Sequence, residues 1–162
     1  HRIETHGFVF REKTRERKLS KNFVNTYHPG IEQMHQIKAG ANFVTGQGVV
    51  IKNSDITIDP LPARSYAYCS DTAYDKSIIP YIQNVDLLYH EATFDDDMAA
   101  MAQEKFHSTA RQAAQIAKNA GVKKLLLGHF SARFKDPSSL LVQAREVFEN
   151  SFLSREGESY VV

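Results

Sequence analysis

The sequence has a single cysteine, Cys69, among 162 residues, and its apolar stretches are all short. One thiol cannot form an internal disulfide, and its neighbours predict a buried, unreactive side chain in a reducing compartment. No apolar run approaches the roughly 20 residues needed to span a bilayer, and no stretch resembles a signal peptide. We therefore expect a cytoplasmic protein that has no membrane partner.

The chain also lacks a large excess of either charge, since its formal net charge is +1. This balance hides an asymmetry: residues 1–64 hold ten Lys and Arg against six Asp and Glu, while residues 65–162 hold ten against thirteen. The basic excess lies in segment 11–21, where the candidate phosphate-binding side chains are Arg15, Arg17, Lys18 and Lys21. A mixed-charge segment of this length is also typical of a solvated loop.

Strand and helix patterns alternate from Tyr66 onward, which predicts an α/β layer arrangement. A short helix is expected over 74–82, and another from Ser108 to a stop at Gly121. The alanine positions of the second helix indicate close packing on a sheet. Segment 14–40 is polar and interrupted by His28-Pro29-Gly30, which indicates an excursion from the core.

Three apolar runs end in residues that can bind a metal. Asp71 follows the first run, the pair His90-Glu91 follows the second, and His129 follows the third. Ligands bind at the carboxyl ends of strands in open α/β sheets, so these ends are expected to converge. Asp, Glu and His suit zinc or manganese. Each residue also has a structural alternative, because Asp71 could cap a turn and His129 could be a buried core histidine.

Four motifs in this order are highly specific together. They are Ser70-Asp71-Thr72, His90-Glu91-Ala92-Thr93-Phe94, His107-Ser108-Thr109, and Gly128-His129-Phe130-Ser131-Ala132-Arg133-Phe134. With them the chain resembles the C-terminal half of the ribonuclease Z family, the tRNA 3′-end endonucleases of the metallo-β-lactamase superfamily. The resemblance implies one half of a four-layer αββα sandwich, in which a mixed β-sheet carries helices on one face.

The resemblance also implies two divalent metal ions, with zinc as the first choice and manganese or magnesium as alternatives. By motif, Asp71 corresponds to the carboxylate that bridges the metals and His129 to a terminal imidazole ligand. His1 falls where the family places a ligand to the other metal. Such a pair of ions activates water and neutralises phosphate charge.

Further residues receive roles from the same resemblance. Glu91 and His107 correspond to a catalytic pair, in which His107 protonates the departing ribose 3′ oxygen and the carboxylate orients it. The structural alternative is that His107 only precedes a helix. His90 is expected to support this site without contacting metal, or to be structural. Arg133 and Lys135 are candidate phosphate contacts, and Lys135 suits solvated surface equally well.

The His-x-His-x-Asp-His run that supplies most metal ligands in this superfamily is absent from all 162 residues. The family places that run upstream of the position matched by His1. We therefore expect residues 1–162 to form a single half-domain whose N-terminal half is missing or supplied by a partner chain. A half-sandwich exposes an apolar sheet face, which predicts a partner or a homodimer. Segment 14–40 corresponds to the family's tRNA-binding arm, although the arm's glycine-proline order is altered here.

The function implied is removal of the 3′ trailer of precursor tRNA by a metal-dependent endoribonuclease, with the isolated chain expected to be inactive. One alternative is a hydrolase of the same fold that acts on a small phosphodiester or another ester. Another is a noncatalytic half that binds RNA or a partner through its basic N-terminal segment.

Overall fold

The computed structural model describes residues 3–162, which group into two compact units. One unit contains the chain up to Arg11 together with Arg64–Val162, and the other is Glu12–Ala63. The strands are β1 (Phe8–Arg11), β2 (Lys18–Leu19), β3 (Phe43–Val44), β4 (Val50–Ile51), β5 (Thr57–Ile58), β6 (Ser65–Cys69), β7 (Leu87–Glu91), β8 (Lys124–Gly128) and β9 (Ser151–Leu153). The helices are α1 (Lys21–Tyr27), α2 (Ile31–Lys38), α3 (Asn53–Ile56), α4 (Ala99–Lys105), α5 (Ala110–Ala120) and α6 (Ser138–Arg145).

The larger unit is built on a five-stranded mixed sheet in the order β1-β6-β7-β8-β9. Strand β1 is antiparallel to β6, and the other neighbouring pairs are parallel. Because parallel strands share one direction, the carboxyl ends of β6, β7 and β8 meet at the same edge of the sheet. The predicted convergence of strand ends is confirmed for these three strands.

One face of this sheet packs against helices. Helix α5 buries five alanines and Ile116, and these small side chains bring the helix close to the sheet. The sheet contributes alternate residues to the same core: Ala67, Cys69, Leu88, Leu125 and Leu127. Helix α6 adds Leu140 and Ala144. The predicted α/β fold with helices packed on the sheet is confirmed.

The opposite face of the sheet is largely aromatic. By strand register and side-chain alternation it carries Phe8, Phe10, Tyr66, Tyr68, Leu87, Tyr89, Leu126 and Phe152, here called the aromatic face. Phe10 is 59% exposed, although it stacks on Tyr66 with ring centroids 6.1 Å apart. No helix within residues 3–162 has the length and apolar character of a membrane span.

Two local predictions need adjustment. The expected helix over 74–82 is only a single 3-10 turn, Lys76–Ile78, capped by Asp75, whose carboxylate accepts from the Ser77 N–H. Pro80 has no backbone N–H, so it cannot donate the hydrogen bond that would continue the turn as a regular helix, although Ile79 before it is still helical. Helix α5 is capped by Thr109 rather than Ser108, and it ends as predicted at Gly121, where φ is 64°.

The smaller unit has its own core of Phe23, Ile37, Phe43 and Ile56. Strand β2 pairs with β5, and β3 pairs with β4, both antiparallel. Segment 14–40 lies within this unit. Its role as a tRNA-binding arm, and the description of the whole chain as one half-domain, stay predictions.

Candidate metal centre

Asp71 lies two residues beyond β6 in the left-handed backbone region, with φ of 51°. Non-glycine residues seldom adopt this conformation outside functional sites and tight turns. The turn directs the carboxylate to the sheet edge where β7 and β8 also end. Thr5 donates to the Asp71 carbonyl at 3.2 Å, which helps to hold the turn.

His129 repeats this arrangement at the end of β8, because it immediately follows the strand and has φ of 57°. Its Nε2 lies 3.1 Å from Asp71 Oδ1, and both side chains are 42% exposed. Two residues that are 58 positions apart in sequence therefore present their ligand atoms to one another. Both remain accessible from outside the larger unit.

Glu91 ends β7 and is fully buried. Its Oε1 accepts from the Thr72 N–H at 2.7 Å, and its Oε2 accepts from the Ser108 N–H at 3.0 Å. A buried carboxylate is tolerated only where hydrogen bonds replace its lost hydration, and these backbone donors do so. Glu91 thus joins the loop that carries Asp71 to the segment that carries His107.

His107 follows Phe106, the left-handed end of α4, which has φ of 59°. The Nδ1 of His107 lies 2.8 Å from Glu91 Oε1. Its ring stacks on the His129 ring with centroids 5.3 Å apart. The predicted Glu91–His107 pair is therefore in direct contact, and its imidazole faces the second candidate ligand.

Asp71, His107 and His129 each offer one ligand atom, and these atoms lie within 4.8 Å of one another. A carboxylate and two imidazoles form a donor set that suits zinc or manganese, whereas magnesium prefers oxygen ligands. The residues present therefore fit a divalent transition metal. Sequence reasoning gave His107 a catalytic role only, and its place in this cluster is an addition from the structure.

The other predicted site residues are not members of this cluster of Asp71, His107 and His129. His1 lies outside the described residues. His90 is buried, its Nδ1–H donates to the Glu91 carbonyl at 2.7 Å, and burial lowers its pKa. Arg133 and Lys135 are exposed beyond His129.

In the smaller unit, the predicted phosphate contacts fall into two groups. Arg15, Lys18 and Lys21 are exposed. Arg17 is partly buried, donates to Thr57 Oγ1 at 2.7 Å and forms an ion pair with Asp59 at 2.5 Å. Arg17 thus has a structural role within this unit, which leaves the exposed cations as the better candidates.

Thr93 is a site residue that sequence reasoning missed. Its hydroxyl lies 2.7 Å from Glu91 Oε2 and 2.9 Å from His129 Nδ1. The sequence placed Thr93 inside a motif, two residues after Glu91, but gave no sign that it would face a histidine 36 positions away. Only the pairing of β7 with β8 brings the two together.

The chain is similar to known proteins in sequence and in fold. A family model described as a beta-lactamase superfamily domain matches residues 12–130. The chain belongs to the beta-lactamase superfamily. The metallo-beta-lactamase fold protein YhfI from Bacillus subtilis is similar in structure, with a TM-score of 0.54 and 31% identity. That likeness covers 59% of this chain and 39% of YhfI.

Within the superfamily, the chain is similar to proteins named Ribonuclease Z. The relatives from Parabacteroides distasonis and Bacteroides thetaiotaomicron are each 48% identical to it. The first alignment covers 97% of this chain and 52% of the relative, and the second covers 96% and 49%. The resemblance seen in the motifs is thereby confirmed, and the chain spans about half the length of the curated relatives it matches.

Proposed function

We propose that this chain supplies one half of the active site of an endoribonuclease that removes the 3′ trailer of precursor tRNA. The observation that carries the proposal is the contact between Asp71 and His129 beside the pair formed by buried Glu91 and partly buried His107. The similarity to proteins named Ribonuclease Z supports the choice of substrate.

Two divalent cations, with zinc as the first choice, are proposed to be held by Asp71, His129 and His1 together with residues of a second half. Such cations stabilise negative charge on phosphoryl oxygens and lower the pKa of water. Asp71 suits the shared position, because a carboxylate has two oxygens that can each face one cation. The exposed fraction of its side chain, 42%, leaves room for further ligands.

His107 is proposed to protonate the leaving ribose 3′ oxygen. Glu91 engages the His107 Nδ1 and so favours a proton at that nitrogen, which orients the ring. Glu91 is buried and contacts no substrate, so its part is to position His107. The side chain of His107 is 15% exposed, which permits contact with a bound phosphodiester.

The cluster of ligand atoms gives His107 a competing role as a metal ligand. The general-acid role and the metal-ligand role predict different effects of His107→Ala on the affinity for zinc. A general acid can be removed with little change in zinc affinity, whereas loss of a ligand weakens zinc binding strongly. Equilibrium dialysis with zinc distinguishes them, and Glu104→Ala on the exposed surface of α4 is the matched control.

Arg133 and Lys135 are proposed to contact RNA phosphates, because both are exposed just beyond His129. Arg15, Lys18 and Lys21 are proposed as further phosphate contacts, with Arg17 secondary because of its ion pair. Replacing one such lysine or arginine should weaken RNA binding and reduce its salt dependence by about one phosphate contact.

The experiment reconstitutes the enzyme from two halves. The chain is co-expressed with the part of the Parabacteroides distasonis relative that its alignment leaves uncovered, and cleavage of a 3′-extended precursor tRNA is measured. We expect cleavage by the two halves together, its loss on chelation of divalent metal, and no cleavage by this chain alone. His107→Ala in the assembled enzyme should lower the rate constant by about 100-fold or more.

A small chromogenic phosphodiester is the second substrate in this assay. Cleavage of that compound without cleavage of precursor tRNA would contradict the proposed substrate and indicate a hydrolase of small phosphodiesters. Salt-sensitive RNA binding that survives both Asp71→Ala and His107→Ala, with no cleavage by the assembled halves, would identify a noncatalytic RNA-binding half.

A further inference from the structure

We propose that Thr93 is a positioning residue that holds the Nδ1–H of His129 and ties that ring to Glu91. Its hydroxyl oxygen lies 2.9 Å from His129 Nδ1, 2.7 Å from Glu91 Oε2 and 3.0 Å from the His129 carbonyl oxygen. A fourth contact, to His107 Nδ1, is longer at 3.4 Å. One hydroxyl thus touches both imidazoles and the carboxylate of the candidate site.

The directions of these hydrogen bonds follow from counting protons. A threonine hydroxyl has one proton and two lone pairs. The Glu91 carboxylate and the His129 carbonyl only accept, so the hydroxyl proton goes to one of these two oxygens. The remaining bond, at 2.9 Å, requires the His129 Nδ1 to donate to Oγ1. His129 therefore carries a proton on Nδ1, the nitrogen that faces away from Asp71.

This assignment determines which nitrogen can bind metal. With Nδ1 engaged by Thr93, the Nε2 of His129 is the coordinating nitrogen, and it lies 3.1 Å from Asp71 Oδ1. Hydrogen bonds to the second nitrogen of a ligating histidine fix its tautomer and its orientation. The interpretation of Nε2 as a ligand depends on the proposed function, whereas the proton on Nδ1 does not.

Thr93 is well suited to hold a fixed hydroxyl. It is 6% exposed, and its backbone carbonyl accepts from the Ser131 N–H at 3.1 Å, just beyond His129. A β-branched side chain is also restricted at χ1, so the hydroxyl has few alternative positions. Valine keeps this shape without the hydroxyl, and serine keeps the hydroxyl without the methyl group.

The first measurement is ¹⁵N NMR of the histidine ring nitrogens in the metal-free chain. We expect the His129 Nδ1 to be protonated in the unsubstituted chain and in Thr93→Ser. In Thr93→Val the Nδ1 has no hydroxyl to receive its proton, so the proton is expected on Nε2, facing Asp71. An unprotonated Nδ1 in the unsubstituted chain overturns the proposal whether or not the valine variant folds.

The second measurement is zinc affinity by calorimetry for this chain assembled with the uncovered part of the Parabacteroides distasonis relative, with the metal alone as probe. Thr93→Val should bind zinc about 10-fold to 100-fold more weakly, and Thr93→Ser should recover most of this loss. Equal affinity in the valine variant and the unsubstituted chain contradicts a role toward the metal. Protonation of Nδ1 without any zinc binding would leave the Thr93–His129 contact intact and count against the proposed function instead.

Discussion

At the scale of single residues, the candidate site depends on an uncommon backbone conformation. Asp71 and His129 have positive φ angles at the ends of their strands, and Phe106 has one immediately before His107. Apolar runs that end in a carboxylate or an imidazole pointed to Asp71 and His129, whereas His107 was assigned only through the resemblance to a known family. The turns were not predictable, since none of these positions is glycine, the residue that usually indicates positive φ.

Glu91→Gln should destabilise the larger unit by about 2 to 3 kcal/mol, because an amide group would replace an oxygen that now accepts from buried N–H donors. Thr72 and Ser108 donate to different oxygens of Glu91, so either orientation of the amide leaves one of them unsatisfied. Urea unfolding measures the loss. The control, Glu104→Gln on the exposed surface of α4, should change stability by less than about 0.5 kcal/mol. Equal effects of the two variants would contradict the role of Glu91 as a buried acceptor.

At the scale of helices and strands, the parallel arrangement of β6, β7 and β8 assembles the site. Apolar runs that end in polar residues predicted which strand ends would meet, and the structure confirms that β6, β7 and β8 end at one edge. Element boundaries were less predictable. The alanine-rich helix was found by its composition, but its first residue depended on whether Ser108 or Thr109 capped it, and both residue types are good caps. Ser108 instead donates its side-chain hydroxyl to the Thr72 carbonyl at 2.8 Å.

Gly128→Ala should cost about 2 kcal/mol, because an added Cβ would lie 2.2 Å from the Tyr89 hydroxyl and 2.5 Å from Cζ of its ring. Tyr89 stacks on Tyr68 at 4.8 Å, which restricts its retreat. In a Tyr89→Ala background the same substitution should cost close to nothing, and thermal unfolding of all four proteins gives the coupling energy. Gly46→Ala is the control, since no atom lies within 4 Å of a Cβ at that position. Additive effects of Gly128→Ala and Tyr89→Ala would rule out the steric explanation.

Asp86 links the starts of three strands, and its ionisation should give the stability a dependence on acid pH. It accepts from Lys123 Nζ at 2.6 Å and from the Ser65 N–H and hydroxyl at 2.7 Å each. The Lys123 hydrogen bond, followed by those from Ser65, lowers the pKa of Asp86 from 3.8 to about 2. The carboxylate therefore contributes stability above about pH 4, and this contribution is lost as the pH falls toward 2.

Asp86→Asn should lower the free energy of unfolding by about 1 kcal/mol at pH 7, a modest value because solvent screens the exposed Lys123 ammonium. The difference from the unsubstituted chain should shrink as the pH is lowered from 4 to 2, which urea titrations at several pH values would measure. Lys123→Ala should reproduce part of the effect. A difference that stays constant down to pH 2 would show that Asp86 contributes through shape rather than charge.

At the scale of the whole molecule, the sequence predicted half of a sandwich, and the larger unit has the corresponding layers. Helices cover one face of the sheet, and the other is the aromatic face. The absence of the His-x-His-x-Asp-His run agrees with a chain that spans about half the length of its relatives. Segment 12–63 was harder to predict, because its core of four apolar side chains is spread over 34 positions of polar sequence. Short strands of two residues give no periodic signal.

The aromatic face leads to a prediction about association. Leu87 and Leu126 on this face are buried, but Phe8 and Phe10 are more than half exposed, and Tyr68 and Phe152 are 37% exposed. Exposed apolar side chains clustered in this way mark interfaces, so we expect the chain alone to form a homodimer through them and to exchange that contact for the missing half when it is supplied. Phe10→Lys should weaken the dimer by at least about 10-fold. The free energy of desolvating the ammonium group in the interface exceeds the attraction between that group and the Tyr66 ring. Sedimentation velocity over a range of concentrations measures the dissociation constant.

Val142→Lys is the control for this experiment, since Val142 is 61% exposed on α6, the helix layer that covers the other side of the sheet. It should leave the dimer unchanged. Adding the complementing half of the Parabacteroides distasonis relative should convert dimer to a complex with one copy of each half, because both partners require the same aromatic side chains. A dimer that persists in Phe10→Lys and is lost in Val142→Lys would move the interface to the helical side, and the aromatic face would then need another explanation for its exposure.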